Sequence, residues 1–557
     1  MEENYLNKKL RIGLLVDSFD MPNWVYAMLR KIQESDYAEI KLVVSNAMPQ
    51  VKKKLFSKII DGWNYLLYIA YYELENKIIK LMPDAFEAKD AKTILADIPD
   101  IKVNPIRTKY SDTIEDKDIE NIKKYQIDVF IRLGFKILKG RILESAKFGA
   151  WSCHHADNCV NRGGPAGFWE VFENSPLTGS ILQILTEDLD NGLVLYRSYS
   201  ATDKVLVKRN RNKYYWKTLS FIPRKLKELH DLGEEKFFTQ VRLENKHINF
   251  YSNRIYKKPR NMEFLRLFIQ LAARYIKSKF YCLFFFEQWF LMFNLRKELS
   301  CSFWMFKRIV PPKDRFWADP HVIYKDNRYY IFIEELLYKS NKSHIALITM
   351  DEKGSYGKPV TVVERPYHLA YPFIFVWNKN YYMIPESRSN RTIEVYKCIE
   401  FPGKWEFHKN LMANISAVDT TLFYYQGKWW LFANVVENEG ASSCDELFLF
   451  YADNPLSCDW TPHPKNPVVS DVRKSRPAGK IFEYNGNIYR PSQNCSGRYG
   501  YGLKINQIEI LNESEYQEIE ISSIEPDWDR KIKAIHTFNQ EHELIIIDGI
   551  LQRRRFF

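Results

Sequence analysis

The stretch "WADPHVIYKDNRYYIFIEE", residues 317–335, sets a pattern that the chain repeats. A polar residue precedes an apolar run; a turn rich in Asp and Asn follows; a second aromatic run ends in acidic residues. The same order returns in "LAYPFIFVWNKNYYMIPES" (369–387), "SAVDTTLFYYQGKWWLFAN" (416–434), "KSRPAGKIFEYNGNIYRPSQ" (474–493) and "IKAIHTFNQEHELIIIDG" (532–549). The leading residues are Asp319, Tyr371, Asp419, Arg476 and His536, separated by 52, 48, 57 and 60 positions. A repeat of about four strands at this period predicts the blades of a propeller, here five. The unrepeated "EQWFLMFNL" (287–295) is expected to supply the outer strand that closes the last blade.

In such a wheel the innermost strand of each blade starts at the channel. Asp319, Tyr371, Asp419, Arg476 and His536 are therefore expected around one axis. The second strands end in Glu334, Glu386, Asn434, Gln493 and Asp548. Carboxylates with Arg and His at a common centre suit a sugar-binding or glycosidase site.

Upstream, residues 10–200 alternate apolar runs with helical patterns. "LRIGLLVDS", "IKLVVSNA", "DVFIRLGF", "FGAWSCHH" and "GSILQILT" read as strands, "NWVYAMLRKIQES" and "DKDIENIKKYQI" as helices, and 51–90 as a helical insertion. That alternation predicts a Rossmann-like, mostly parallel α/β sheet, whose ligands bind beyond the carboxyl ends of its strands. The expected division is 1–235 α/β, 236–285 a basic helical linker, and 286–557 the propeller.

At the end of "FGAWSCHH" lies "GAWSCHHADNCVNRGGPAGFWEV" (149–171). Cys153, His154, His155, Asp157 and Cys159 carry zinc-binding atoms, but adjacent residues at a strand end face opposite sides. No metal site is expected. Ser152-Cys153-His154, Arg162-Gly163, Thr178-Gly179 and Leu189-Asp190-Asn191-Gly192 resemble, in order and spacing, the catalytic loop of formyltransferases that use 10-formyltetrahydrofolate. The resemblance covers about residues 10–235. It implies a catalytic set of Ser152, His154 and Asp190, and donor contacts from Leu133, Gly134, Phe135, Arg162 and Gly163. An imidazole beside a carboxylate could take the amine proton as the tetrahedral oxyanion forms. The family has Asn where Ser152 stands, which removes a long donor to the formyl oxygen.

The repeats resemble propellers of arabinanases and β-xylosidases, and more specifically the N-terminal propeller of glucosamine inositolphosphorylceramide transferases. By resemblance to the glycosidases, Asp319 is the base, Glu386 the candidate acid and Asp419 the group that tunes it. The implied activity is formyl transfer from 10-formyltetrahydrofolate to an amino sugar, nucleotide- or lipid-linked, with the propeller holding the glycan. A carbohydrate-binding or glycosidase-like protein with an inactive transferase domain, and a methionyl-tRNA formyltransferase-like enzyme, stay open as alternatives.

The chain's net charge of +12 is localised. Residues 201–300 hold 22 Lys/Arg against 9 Asp/Glu, leaving 59 against 60 elsewhere. This segment reads as a solvated linker, a phosphate cradle, or a face for an anionic membrane. Nucleic acid is disfavoured, since no recognised motif accompanies the charge. Eight irregularly spaced Cys and a start without a secretory pattern lead to the expectation of a cytoplasmic protein, with peripheral contact at the inner membrane surface.

Overall fold

Residues 8–48, 63–248, 250–296, 298–299 and 302–556 are described in a computed structural model. They divide into two compact units: 1–198 with 202–272 and 438–441, and 199–201 with 273–437 and 442–557. The segment 236–285, expected as a separate linker, is shared between the two.

The first unit is built on a seven-stranded sheet in the order Leu193–Ala201, Leu177–Ile184, Ala150–His154, Val129–Arg132, Leu10–Val16, Ala38–Asn46, Asp100–Val103. Its central pairings are parallel, and Ala150–His154 runs antiparallel to Leu177–Ile184. The central strand Leu10–Val16 is buried almost throughout, as its unbroken apolar run requires of a strand covered on both faces. The helix Asn23–Gln33 covers one face with Val25, Met28, Leu29 and Ile32. On the other face Ile119 and Ile122 of the helix Asp116–Lys123 join Leu15, Leu42 and Val44. The expected insertion appears as the helix Leu66–Ile78, while its positions 51–62 lie outside the described residues.

The basic stretch forms the helices Val207–Thr218, Phe221–Glu244 and Asn261–Phe284. The second of these is broken at Gly233, whose φ of 74° is open to glycine at little cost.

Beyond the end of the helix Asn261–Phe284, the described residues of the second unit form a succession of five antiparallel sheets. The first contains Arg315–Lys325, Arg328–Leu337, Lys342–Asp351 and Val360–Val363; the second runs Ala370–Trp377 to Lys404–Ala413, the third Ala417–Tyr425 to Thr461–Pro462, the fourth Phe482–Tyr484 to Tyr516–Ile524. The fifth joins the two ends of the unit: Phe285–Leu295 pairs antiparallel with Leu544–Arg554, Leu291 opposite Asp548. The predicted closing strand is therefore present, but Lys307–Ile309 lies outside it.

Candidate functional site

Three of the five sheets share one backbone device. The register of the first strand slips between Ala318 and His321, between Ala370 and Phe373, and between Val418 and Thr421. At each slip one residue takes a left-handed conformation: Asp319 (φ 51°), Tyr371 (φ 42°) and Asp419 (φ 52°). A bulge of this kind re-aims a side chain out of the pleat, and a non-glycine residue stays there only when its surroundings hold it. The residues before these slips, Ala318, Ala370 and Val418, stand opposite Glu334, Glu386 and Asn434.

What holds them is a chain of hydrogen bonds between sheets. Thr537 Oγ1 of the fifth sheet's inner segment donates to Asp319 Oδ1 at 2.9 Å, and the Tyr371 N–H donates to Asp319 Oδ2 at 3.3 Å. The Tyr371 hydroxyl is shared with Thr421 Oγ1 (2.8 Å) and receives the Gly479 N–H (2.8 Å). Arg476 donates to both oxygens of Asp419, at 2.6 and 3.2 Å, and its Nη2 lies 3.6 Å from Glu386 Oε2. Gln493 Nε2 adds a bond to Asp419 Oδ2 at 2.8 Å. His536 sits between Asp548 (2.7 Å to Nδ1) and Asp319 (3.5 Å to Nε2), its ring stacked 4.0 Å from that of Trp289. The five predicted leading residues are thus brought together. Glu334 joins at one side through His368 Nε2 at 3.2 Å.

The electrostatics follow from burial. Desolvation works against the His536 imidazolium, but Asp548 and Asp319 outweigh it and raise the group to about 9. Desolvation pushes the Asp319 carboxyl up to about 7, against the pull of His536. Burial, with Asp419 beside it, raises Glu386 well above the ordinary range. Ligand atoms of Asp319, His536 and Asp548 lie within 4.8 Å of one another, a spacing that could suit a cation; the 2.7 Å His536–Asp548 contact is that of an ion pair. Most of the cluster is inaccessible: Asp319, Asp419 and His536 are 5, 2 and 2% exposed. The accessible members are Tyr499, 43% exposed and with its ring 4.9 Å from the Arg476 guanidinium, and the side chain of His368, 37% exposed. Neither was singled out in the sequence. The only signal for Tyr499 is an aromatic residue in the glycine-rich turn "SGRYGYG" (496–502).

The first unit brings His154 and Asp190 together, Nδ1 to Oδ1 at 3.3 Å. Asp190 reaches the histidine from a left-handed turn (φ 51°), held by the Gly163 N–H at 3.0 Å. Arg162 braces the same turn by donating to the Asn158 carbonyl and to Asn191 Oδ1. The other nitrogen of His154 lies 2.9 Å from the Asn161 carbonyl oxygen, so it must carry the hydrogen. With one nitrogen turned to that carbonyl and Nδ1 turned to Asp190, both nitrogens of His154 face groups of the chain itself.

A cavity of about 590 Å³ opens nearby at the carboxyl ends of the parallel strands. Leu133, Gly134, Phe135 and Ser152 line it with His155, Arg132 and Arg211. His154, Asp190, Arg162 and Gly163 are not among its lining residues. The predicted catalytic and donor-binding residues are therefore divided. Gly134 is required by the chain itself, because a Cβ there would stand 2.3 Å from the Asp17 nitrogen. His155 faces away from His154, stacked 3.7 Å from Tyr215, and burial lowers its pKa well below the usual value.

Residues 307–546 match the family model described as glucosamine inositolphosphorylceramide transferase 1, N-terminal. A protein named glucosamine inositolphosphorylceramide transferase 1 from Arabidopsis thaliana is 31% identical over 209 residues, 37% of this chain and 27% of that one. Its namesake from Oryza sativa subsp. japonica is 30% identical over 210 residues, 37% of this chain and 28% of that one. The chain spans about a quarter of the length of these curated relatives. Among solved structures, an exo-1,5-alpha-L-arabinanase from a bovine ruminal metagenomic library aligns at TM-score 0.30 and 16% identity over 43% of this chain and 92% of its own. Phosphoribosylglycinamide formyltransferase from Bacillus halodurans aligns at 0.23 and 14%, over 44% and 100%.

These relatives correct one expectation. They are named for transfer involving glucosamine and inositolphosphorylceramide, so the assignment as a formyltransferase, with 10-formyltetrahydrofolate as donor, does not stand. In the same direction, His154 turns both nitrogens to groups of the chain itself and does not line the cavity.

Proposed function

We propose that this protein acts in glycan biosynthesis as part of a sugar-transfer system for a lipid-linked amino sugar. In this reading the five sheets are the blades of a closed propeller, and carbohydrate binds at its centre. The carrying observation is the cluster of Asp319, Tyr371, Asp419, Arg476 and His536, one residue from each repeat, within the region that resembles the glucosamine inositolphosphorylceramide transferases. Tyr499 would present an aromatic face to a sugar ring. Glu386 and His368 would meet its hydroxyl and amino groups.

Binding is favoured over hydrolysis by the state of Asp319. It is 5% exposed, and its two oxygens accept from Thr537 and from the Tyr371 N–H, an enclosure that restricts the approach of an attacking water.

Isothermal titration with glucosamine-containing inositol phosphosaccharides, and with arabino-oligosaccharides as a comparison, tests the reading. Saturable binding of the first, lost in Tyr499→Ala and weakened in Glu386→Gln without a change in Tm, is expected. Absence of saturable binding, or release of free sugar that depends on Asp319, would overturn it.

A further inference from the structure

The helix Asn261–Phe284 carries two apolar faces where a surface helix needs one. Phe264, Leu267 and Leu271 form the first, 5, 9 and 5% exposed, packed with Phe168, Phe172 and Tyr71. The second is Met262, Leu265, Ile269, Ile276, Phe280 and Leu283, at steps of 3, 4, 7, 4 and 3, which is one stripe at 3.6 residues per turn. Its members are 40 to 76% exposed. A continuous stripe of this kind marks an interaction surface rather than the scatter of single apolar residues normal to a protein exterior.

The charges beside the stripe decide its partner. Arg266 and Lys277 project along one margin and Lys279 along the other, all exposed, and Lys257, Lys258 and Arg260 precede the helix. The one acidic residue before the helix's last turn, Glu263, is bonded to Arg254 at 2.7 Å. An apolar stripe edged by basic residues fits the boundary between the acyl chains and head groups of an anionic bilayer. No helix among the described residues is long and apolar enough to cross a membrane, so this one lies in the plane, about 36 Å long at 1.5 Å per residue. A second copy on the same face would set these basic margins against each other.

We infer that the helix Asn261–Phe284 docks the protein on an anionic membrane surface, with Met262, Leu265, Ile269, Ile276, Phe280 and Leu283 inserted among the lipids. This stands apart from the carbohydrate reading, since it uses none of the residues of the central cluster. It would hold the protein at the surface where a lipid-linked sugar resides.

The test is flotation of the full chain with vesicles of phosphatidylcholine alone or mixed with phosphatidylserine. Binding to the mixed vesicles is expected, falling as salt rises, with little on phosphatidylcholine alone. Ile269→Asp with Ile276→Asp removes it, and Lys277→Gln with Lys279→Gln weakens it roughly thirtyfold. Both pairs are exposed, so Tm and saccharide titration should be unchanged, which separates this test from that of the sugar site. Wild-type protein remaining with the vesicle-free fraction, variants floating like wild type, or a dimer in sedimentation velocity that Ile269→Asp with Ile276→Asp breaks would each overturn the inference.

Discussion

His154 in the first unit and His536 in the second are built from the same parts, an imidazole with an oxygen acceptor at each nitrogen. Their surroundings make them different. The partners of His154 are one carboxylate and a backbone carbonyl from the segment that follows it, Asn161 and Asp190. Those of His536 are two buried carboxylates, Asp319 from the start of the unit and Asp548 from its end. The second arrangement fixes a charged centre on which several sheets converge. The first orders a local turn. A motif of His and Asp does not carry its chemistry with it; the groups that surround it, and whether it opens on a cavity, decide what it can reach.

The largest effect expected is at Asp419, where Asp419→Ala would leave the Arg476 guanidinium buried without its carboxylate. A loss of about 3–5 kcal/mol in urea unfolding is predicted. The matching change in the first unit, Asp190→Ala, should cost only about 1 kcal/mol, the worth of ordinary hydrogen bonds at a half-buried turn. Equal losses at the two sites would break the contrast. Next in size is Gly134→Ala, which forces a Cβ against the Val16–Asp17 backbone and should cost about 1–3 kcal/mol. If the glycine served only a bound ligand, stability would be unaffected.

A pH titration sharpens the comparison. His536 is raised from 6.5 to about 9, so the stability it contributes is complete below 6.5 and disappears as pH climbs through 9. Asp319 is raised from 3.8 to about 7, so its ionisation costs stability as pH rises across that interval. Both shifts predict a second unit that weakens toward alkaline pH, and a His536→Asn variant with a flatter profile above pH 7. The smallest effect is expected for His154→Ala, with saccharide titration unaltered and unfolding changed by about 1 kcal/mol.

Much of this architecture was legible in residues 317–549, because a strand half-buried in a repeated unit has to repeat its apolar pattern. The leading positions Asp319, Tyr371, Asp419, Arg476 and His536 could be picked out for that reason. The order of strands in the first unit was readable around its centre, where Leu10–Val16 and Val129–Arg132 are apolar throughout. Its edge strands Asp100–Val103 and Leu193–Ala201 were not, since an edge needs less apolar surface. The left-handed bulges at Asp319, Tyr371 and Asp419 were hidden as well. Two of the three are followed by proline, but neither proline nor threonine by itself specifies a register slip.

The sequence alone determined where polar groups stand relative to strand starts, and that charge collects between 201 and 300, because periodicity and composition are properties of neighbours along the chain. The tertiary structure decided which of those groups meet. It faced both nitrogens of His154 toward groups of the chain itself, parted Ser152 from His154 and Asp190 at the cavity, set His536 between carboxylates 217 and 12 residues distant in sequence, and turned the second apolar stripe of Asn261–Phe284 outward. Hydrogen bonding and desolvation act through space over a few ångströms, and only the folded chain brings distant residues within that range.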